Sequence, residues 1–409
     1  MSKKAKSTLG EITLSIFDGK HGDCKDCPRS GYYFISVKDL REYGIDYSQA
    51  REIDPVDFQQ NYTRTNLENG DTLYANTGDT IGKILYIKGN PLAMRTSFQK
   101  SVAVLKPNTE YVEPRYLYYL LKYETPRLRK AATGSGQKNL LLSTMRNFEV
   151  SIHDRSTQRK IVETLSCIDD KIQCNYKVND NLQQQLKLMY DYWFNQFDFP
   201  NEDGKPYRAS GGAMEWSPDL QREIPAGWSC VPLEDILQRN SEAFDFSSIE
   251  PTVDLSIMPS GSIALDQVNR SDKFSTNLFR MNEGDILFGS IRPYLKKAGI
   301  APCKGVVAGT IHSFRVKKES DYNFALFTLC GKTFFDYAVK VSTGTKMPIV
   351  SLDSIMSYKV PYSECIVRRF NRIDVRHIIC SNVQETQKLA SFRDWLLPLL
   401  MNGQATISD

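Results

Sequence analysis

Long apolar runs are missing from this chain. None approaches the ~18 residues a membrane span demands, and the opening MSKKAKS leads into no signal-peptide core, so no membrane contact is expected. Only four histidines occur, none in an HExxH or nucleophile setting. The nine cysteines are irregularly spaced and point to reduced thiols in a cytoplasmic protein. His21, Cys24 and Cys27 have the spacing of half a zinc site, but no second CxxC or HxxxH supplies the remaining ligands, so no metal is expected. Cys330-Gly331-Lys332-Thr333 ends like a phosphate-binding loop, yet Leu326 stands where its first glycine belongs, and GDTIGK lacks a Ser/Thr after Lys83. No Asn/Asp-Pro-Pro-aromatic tetrapeptide is present; Gly89–Leu92 lacks the second proline and the ring. Carboxylate pairs such as Asp169-Asp170 read as the solvated face of a helix. Charge of one sign is not in excess either. Fifty-two Lys and Arg against 48 Asp and Glu leave a net +4, too mild to prove a nucleic-acid partner, although one face could still be basic. The chain is therefore expected to be no enzyme by itself, with no catalytic residues.

What is present is said twice. TGSGQKNLLLSTMRNFEV begins at Thr133 and TGTKMPIVSLDSIMSYKV at Thr343, 210 positions later. Leu67–Gly89 and Met281–Pro302 echo each other at an offset of 214, with Gly70 and Gly284 aligned, and Leu9-Gly10-Glu11-Ile12 weakly matches Leu233-Glu234-Asp235-Ile236. The period is far too long for a solenoid. Order and offset imply a duplicated domain, two diverged halves able to present related surfaces to one partner.

The expected fold class is α+β: two similar domains separated by two long antiparallel helices forming a coiled coil. Residues 1–153 form the first domain, with strands near Tyr32–Val37, Asp71–Ala75, Ile81–Ile87 and Ser101–Leu105 and a helix opened by Pro114. Residues 154–197 carry a 3.5-residue apolar period through Ile161, Leu165, Ile168, Ile172, Asn175, Asn179, Leu182, Leu186, Met189 and Trp193. That helix would be about 37 residues, roughly 55 Å long. The two consecutive seam asparagines would fix register at some cost in stability. Residues 198–227, rich in Gly and Pro, form a linker with a hairpin near Asp203-Gly204 and Ser210-Gly211-Gly212. Residues 228–362 make the second domain. A second long helix covers 363–403, with Ile373, Ile379, Val383, Leu389, Phe392, Leu396 and Leu400 among its apolar positions.

LSCIDDKIQCNYKVNDNLQQQLKLMYDYWFNQFDF, then GKPYRASGGAMEW and REIPAGWSCVPLEDIL, resembles the central conserved region of the specificity subunits of type I restriction–modification enzymes. ETQKLASFRDWLLPLLMNGQ is similar to the distal conserved region. The resemblance implies two target-recognition domains, each reading one half of a bipartite, asymmetric double-stranded DNA site. It also implies helices that recruit two modification subunits and a restriction (motor–nuclease) subunit. S-adenosylmethionine would be used in the modification subunits to methylate adenine, with no cofactor on this chain. A competing reading is a coiled-coil scaffold that binds proteins and no DNA.

Cations and amides on loops are the residue types that meet phosphates and base edges. The candidates are Lys20, His21, Arg64, Lys83, Arg95, Lys138 and Asn139 in the first half, and Arg270, Arg292, Lys296, Lys297 and Lys346 in the second. The two Thr-Gly loops stand out, because glycine admits close backbone approach to a phosphate and the following cation neutralises it. Tyr190 and Phe194, just off the apolar seam, are candidate partner contacts.

Overall fold

The computed structural model describes residues 4–42, 44–48 and 50–405. The chain divides into two compact units: Met1–Asp170 with Ala390–Asp409, and Lys171–Leu389.

In unit 1 the main sheet consists of β1 (Thr13–Asp18), β2 (Thr72–Ala75), β3 (Ile84–Tyr86) and β4 (Val102–Pro107), ordered β1-β4-β2-β3 and antiparallel throughout. β2 is buried along its whole length. The helix Pro114–Ala131 starts on its proline, tolerated there because the first-turn N–H has no partner in any case, and buries Tyr116–Leu121 against this sheet. A second sheet joins Tyr33–Ile35 in parallel to Thr96–Phe98 and antiparallel to Arg51–Glu52.

Unit 2 repeats the plan. β5 (Leu237–Asn240), β6 (Ile286–Gly289), β7 (Ala298–Ile300) and β8 (Ile311–Val316) are ordered β5-β8-β6-β7. A second sheet again contains one parallel pair, Pro251–Val253 with Gly305–Ala308. A two-stranded ribbon closes each unit: Lys4–Thr8 with Glu149–His153, and Ser229–Pro232 with Lys359–Tyr362. The weak third echo follows the first strand of each ribbon; Leu9, Ile12, Leu233 and Ile236 are all core residues.

The central helix Arg155–Tyr190 runs unbroken for 36 residues and ends in a π-helical turn, Asp191–Asn195. The expected seam holds at Ile161, Leu165, Ile172, Asn175, Asn179 and Leu186, all buried, with Ile168 and Leu182 half-buried. It fails at the far end. Met189 is 37% exposed and Trp193 half-buried, whereas Tyr190 and Phe194, expected to face a partner, lie in the unit 2 core. The physical reason is that a straight α-helix repeats every 3.6 residues, so a strict 3.5 reading slips by about 20° per heptad. Four heptads after Ile161 the inward position is 190, and the π turn carries it on to Phe194. Asp169, buried, takes the inward place beside Ile168.

The distal helix is not continuous. Glu364–Phe370 and Val375–Asn402 are separate, because Asn371 turns aside to accept from the Asn323 N–H (2.9 Å) and Asp374 caps the restart through the His377 N–H (3.0 Å). Ile379 and Val383 are buried, but Ile373 and Phe392 are exposed, with Arg393 and Leu397 inward. Within unit 2 the two helices run antiparallel. Asn175 Nδ2 donates to Glu385 Oε2 (2.8 Å) and Thr386 Oγ1 (3.3 Å), and Asn382 donates to Asn179 (2.8 Å). Within unit 1 the equivalent contact is ionic. Buried Arg393 meets Asp169 (2.8 Å), Glu42 (3.1 Å) and Asp394 (2.9 Å), while the Tyr119 hydroxyl donates to Asp169 (2.7 Å). The linker hairpin is Met214–Ser217 with Arg222–Pro225; Asp203-Gly204 sits in a smaller turn bridged by Pro200 and Pro206.

Candidate nucleic-acid interface

Each unit brings its two sequence echoes into one place. In unit 1 the Thr-Gly loop is closed by reciprocal backbone bonds between Thr133 and Asn139 (3.0 and 2.7 Å). It is stitched to the loop after β2, where the Leu140 N–H donates to the Asn76 carbonyl (2.8 Å) and the Gly78 N–H to the Lys138 carbonyl (2.7 Å). In unit 2 Thr343 and Ile349 close the loop (2.9 Å both ways). The Val350 N–H then donates to the Ser290 carbonyl (3.0 Å) and the Arg292 N–H to the Pro348 carbonyl (2.7 Å). These partners match at the offsets of the repeat, 210 for the Thr-Gly loop and 214 for the other. Gly134 and Gly344 hold φ of 124° and 99°; a Cβ on Gly134 would lie 2.5 Å from the Gln137 carbonyl oxygen, so the loop needs its glycine.

The second loop differs between the units in side chains while keeping its backbone. Gly78 and Gly82 have φ of 66° and 89°; their counterparts Arg292 and Lys296 both have φ of 51°. Two exposed cations therefore sit in left-handed conformations that cost a non-glycine residue roughly 1–2 kcal/mol. Lys138, Asn139 and Lys346 are exposed on the Thr-Gly loops. The paired loops of unit 2 thus present three exposed cations, Arg292, Lys296 and Lys346, whereas those of unit 1 present Lys138 and Asn139 beside exposed Asp79.

The remaining candidates are placed otherwise. Lys83 and Lys297, also 214 apart, fold back into their own units: Lys83 Nζ donates to the Val37 carbonyl (3.1 Å) and Lys297 Nζ to the Leu255 carbonyl. Burial lowers the Lys83 pKa, as expected of an inward ammonium. In this structure both serve as internal ties, unlike the exposed cations of the paired loops. Arg64 is spent on Asp18, both its carboxylate (2.5 Å) and its carbonyl (2.8 Å). His21 also meets Asp18 (3.0 Å), Lys20 meets Asp57 (3.5 Å), and Arg270 pairs with Asp272 (2.9 Å). Arg95 is exposed and makes no ion pair among the described residues. Cys24 is buried beside Asn61, whose amide reaches its Sγ at 3.1 Å, and no group of three or more His, Cys, Asp or Glu able to hold a metal occurs among the described residues. No helix among them is long and apolar enough to cross a membrane.

The sequence reading missed the aromatic pair Phe392 and Trp395, 48% and 61% exposed with ring centroids 5.9 Å apart. Exposed rings one helical turn apart were the available signal, obscured because Phe392 fitted an apolar period.

Comparison with known proteins adds several similarities. Residues 6–184 match the model described as the type I restriction modification DNA specificity domain. The chain is 24% identical over 397 residues to the type I restriction enzyme MjaIX specificity subunit of Methanocaldococcus jannaschii, covering 92% of this chain and 87% of that one. It is 27% identical over 237 residues to the HindI specificity subunit of Haemophilus influenzae, covering 56% and 48%. In fold it resembles the type I restriction-modification S subunit from M. genitalium: TM-score 0.54, 15% identity, spanning 100% of this chain and 97% of the other.

Proposed function

We propose that the chain is a specificity subunit of a type I restriction–modification system, a non-catalytic member of such an enzyme, and that each unit reads one half of a bipartite, asymmetric DNA site. The observation that carries this reading is the duplicated pair of stitched loops, alike in backbone and unlike in exposed side chains. A fixed scaffold presenting different cations and amides is what two different half-sites require. Lys138 and Asn139 serve the first half-site, and Arg292, Lys296 and Lys346 the second. Arg95 is a further candidate in the first. Lys20, His21, Arg64 and Arg270 would have to exchange carboxylate partners for phosphates.

The same reading gives the helices a partner role. Two modification subunits, bringing S-adenosylmethionine, and a restriction subunit assemble on them, and Phe392 with Trp395 is the anchor this proposal substitutes for Tyr190 and Phe194. An exposed Trp beside a second ring suits an interface hot spot. The test is DNA affinity against salt. Counterion release predicts log K falling linearly with log salt, with a slope near −0.9 per phosphate contact. Absent or salt-independent binding would favour the protein scaffold.

A further inference from the structure

Unit 2 contains a pocket of about 440 Å³ unrelated to the loop edges, within the size range of small-ligand sites. It lies between the linker hairpin, the end of the central helix and the helix Lys332–Val341. Phe334, Tyr337 and Tyr358 supply aromatic walls. Tyr190 reaches it with a hydroxyl already bonded to Thr328 (2.8 Å). Lys359 and Asp219 at the rim pair with each other. Arg222 does not pair. Half-buried, its guanidinium lies 4.8 Å from the Phe197 ring centroid and has no carboxylate partner among the described residues.

Unit 1 shows what completes this arrangement. At the positions 210 residues earlier, Arg127 replaces Tyr337, Glu124 replaces Phe334 and Phe148 replaces Tyr358. Arg127 stacks on Phe148 at 4.8 Å and binds Glu124 at 2.6 Å. Guanidinium, ring and carboxylate all come from unit 1 itself. In unit 2 the matched positions hold no guanidinium and no carboxylate; a different arginine, Arg222, stacks on a different ring, Phe197, and a cavity stands beside it with no carboxylate supplied to that arginine among the described residues. A desolvated cation of this kind favours a charge-assisted bond to an anion.

We propose that this pocket binds a carboxylate carried on an apolar or aromatic body, anchored by Arg222. A free organic acid and a carboxylate on a partner polypeptide share that chemistry. Titration calorimetry of the full chain with N-acetyl-phenylalanine and its uncharged amide tests the proposal. The acid should bind at least roughly tenfold more tightly than the amide, the worth of one charge-assisted bond. Arg222→Met should reduce acid binding to the amide's level, and Arg222→Lys should retain part of it. Thr333→Trp, filling the pocket from an exposed position, should abolish acid binding and stands as the test if Arg222→Met does not fold. Equal binding of acid and amide, no acid binding by the wild type at about 10 mM, or undiminished acid binding in Arg222→Met or Thr333→Trp would overturn it. Repetition on the chain assembled with its partner subunits separates the sources. Binding lost on assembly identifies a partner's carboxylate, and binding retained identifies a small acid.

Discussion

Gly78 and Gly82 in unit 1 and Arg292 and Lys296 in unit 2 occupy the same left-handed backbone positions, one pair without side chains and the other with two exposed cations. Immediately after them, Lys83 and Lys297 do one job, each closing onto a carbonyl inside its own unit. Within a few residues the duplication thus keeps what holds the loop and varies what the loop presents. Strain at Arg292 and Lys296 is tolerated because the stitch to the Thr-Gly loop fixes the backbone.

The largest test of the comparison lies in the helix pairs, buried and ionic in unit 1, and in unit 2 amide-based with only an exposed Lys171–Glu385 ion pair beside the amides. Arg393→Met strands buried Asp169 and should destabilise unit 1 by about 3–5 kcal/mol, whereas Asn175→Leu should cost unit 2 only about 1 kcal/mol. Chemical denaturation of each variant checks both; equal losses would erase the distinction.

Acid acts on a buried histidine in each unit, with the pKa of His153 in unit 1 lowered first by burial. Burial, then Arg239, pushes the pKa of His312 in unit 2 down to about 4. Below the ordinary value near 6.5 the unfolded chain takes up a proton that the folded chain refuses. The stability is therefore full above pH 6.5 and drains as pH falls towards 4, by about 3 kcal/mol at most. His312→Phe should flatten that part of the stability–pH curve; an unchanged curve would assign the acid sensitivity elsewhere.

Charge reversals probe the edges one at a time. Lys138→Glu should weaken binding of a DNA carrying only the first half-site by about tenfold, and Arg292→Glu that of the second, each leaving the other intact. Competition binding at fixed salt reads this directly, and losses spread over both half-sites would break the one-unit, one-half assignment. The smallest effect is the most diagnostic. Arg292→Gly gives unit 2 the residue unit 1 has and should leave stability within about 1 kcal/mol of wild type, on the favourable side, while weakening the second half-site.

The duplication, the class of fold and the pairing of like loops were legible from the sequence, because motif order and offset survive divergence. Which cations face outward was not. Lys83 and Lys297 are tied to Val37 and Leu255, more than forty residues away, and no local pattern announces such partners. Arg64 was lost to Asp18 in the same way. Tyr190 and Phe194 were misplaced by a period of 3.5 applied where the helix keeps 3.6 and then widens into a π turn. The break at 371–374 escaped notice because its cause, Asn323, lies on another helix.

The most direct measurement is a map of methylated adenines in cells carrying the partner subunits, with wild type and with residues 12–150 replaced by a second copy of 236–360. The wild type should mark a split motif with two unlike halves, and the chimaera a motif whose halves carry the same bases. A chimaera that still marks two unlike halves would contradict the claim that each unit reads its own half through its own loops.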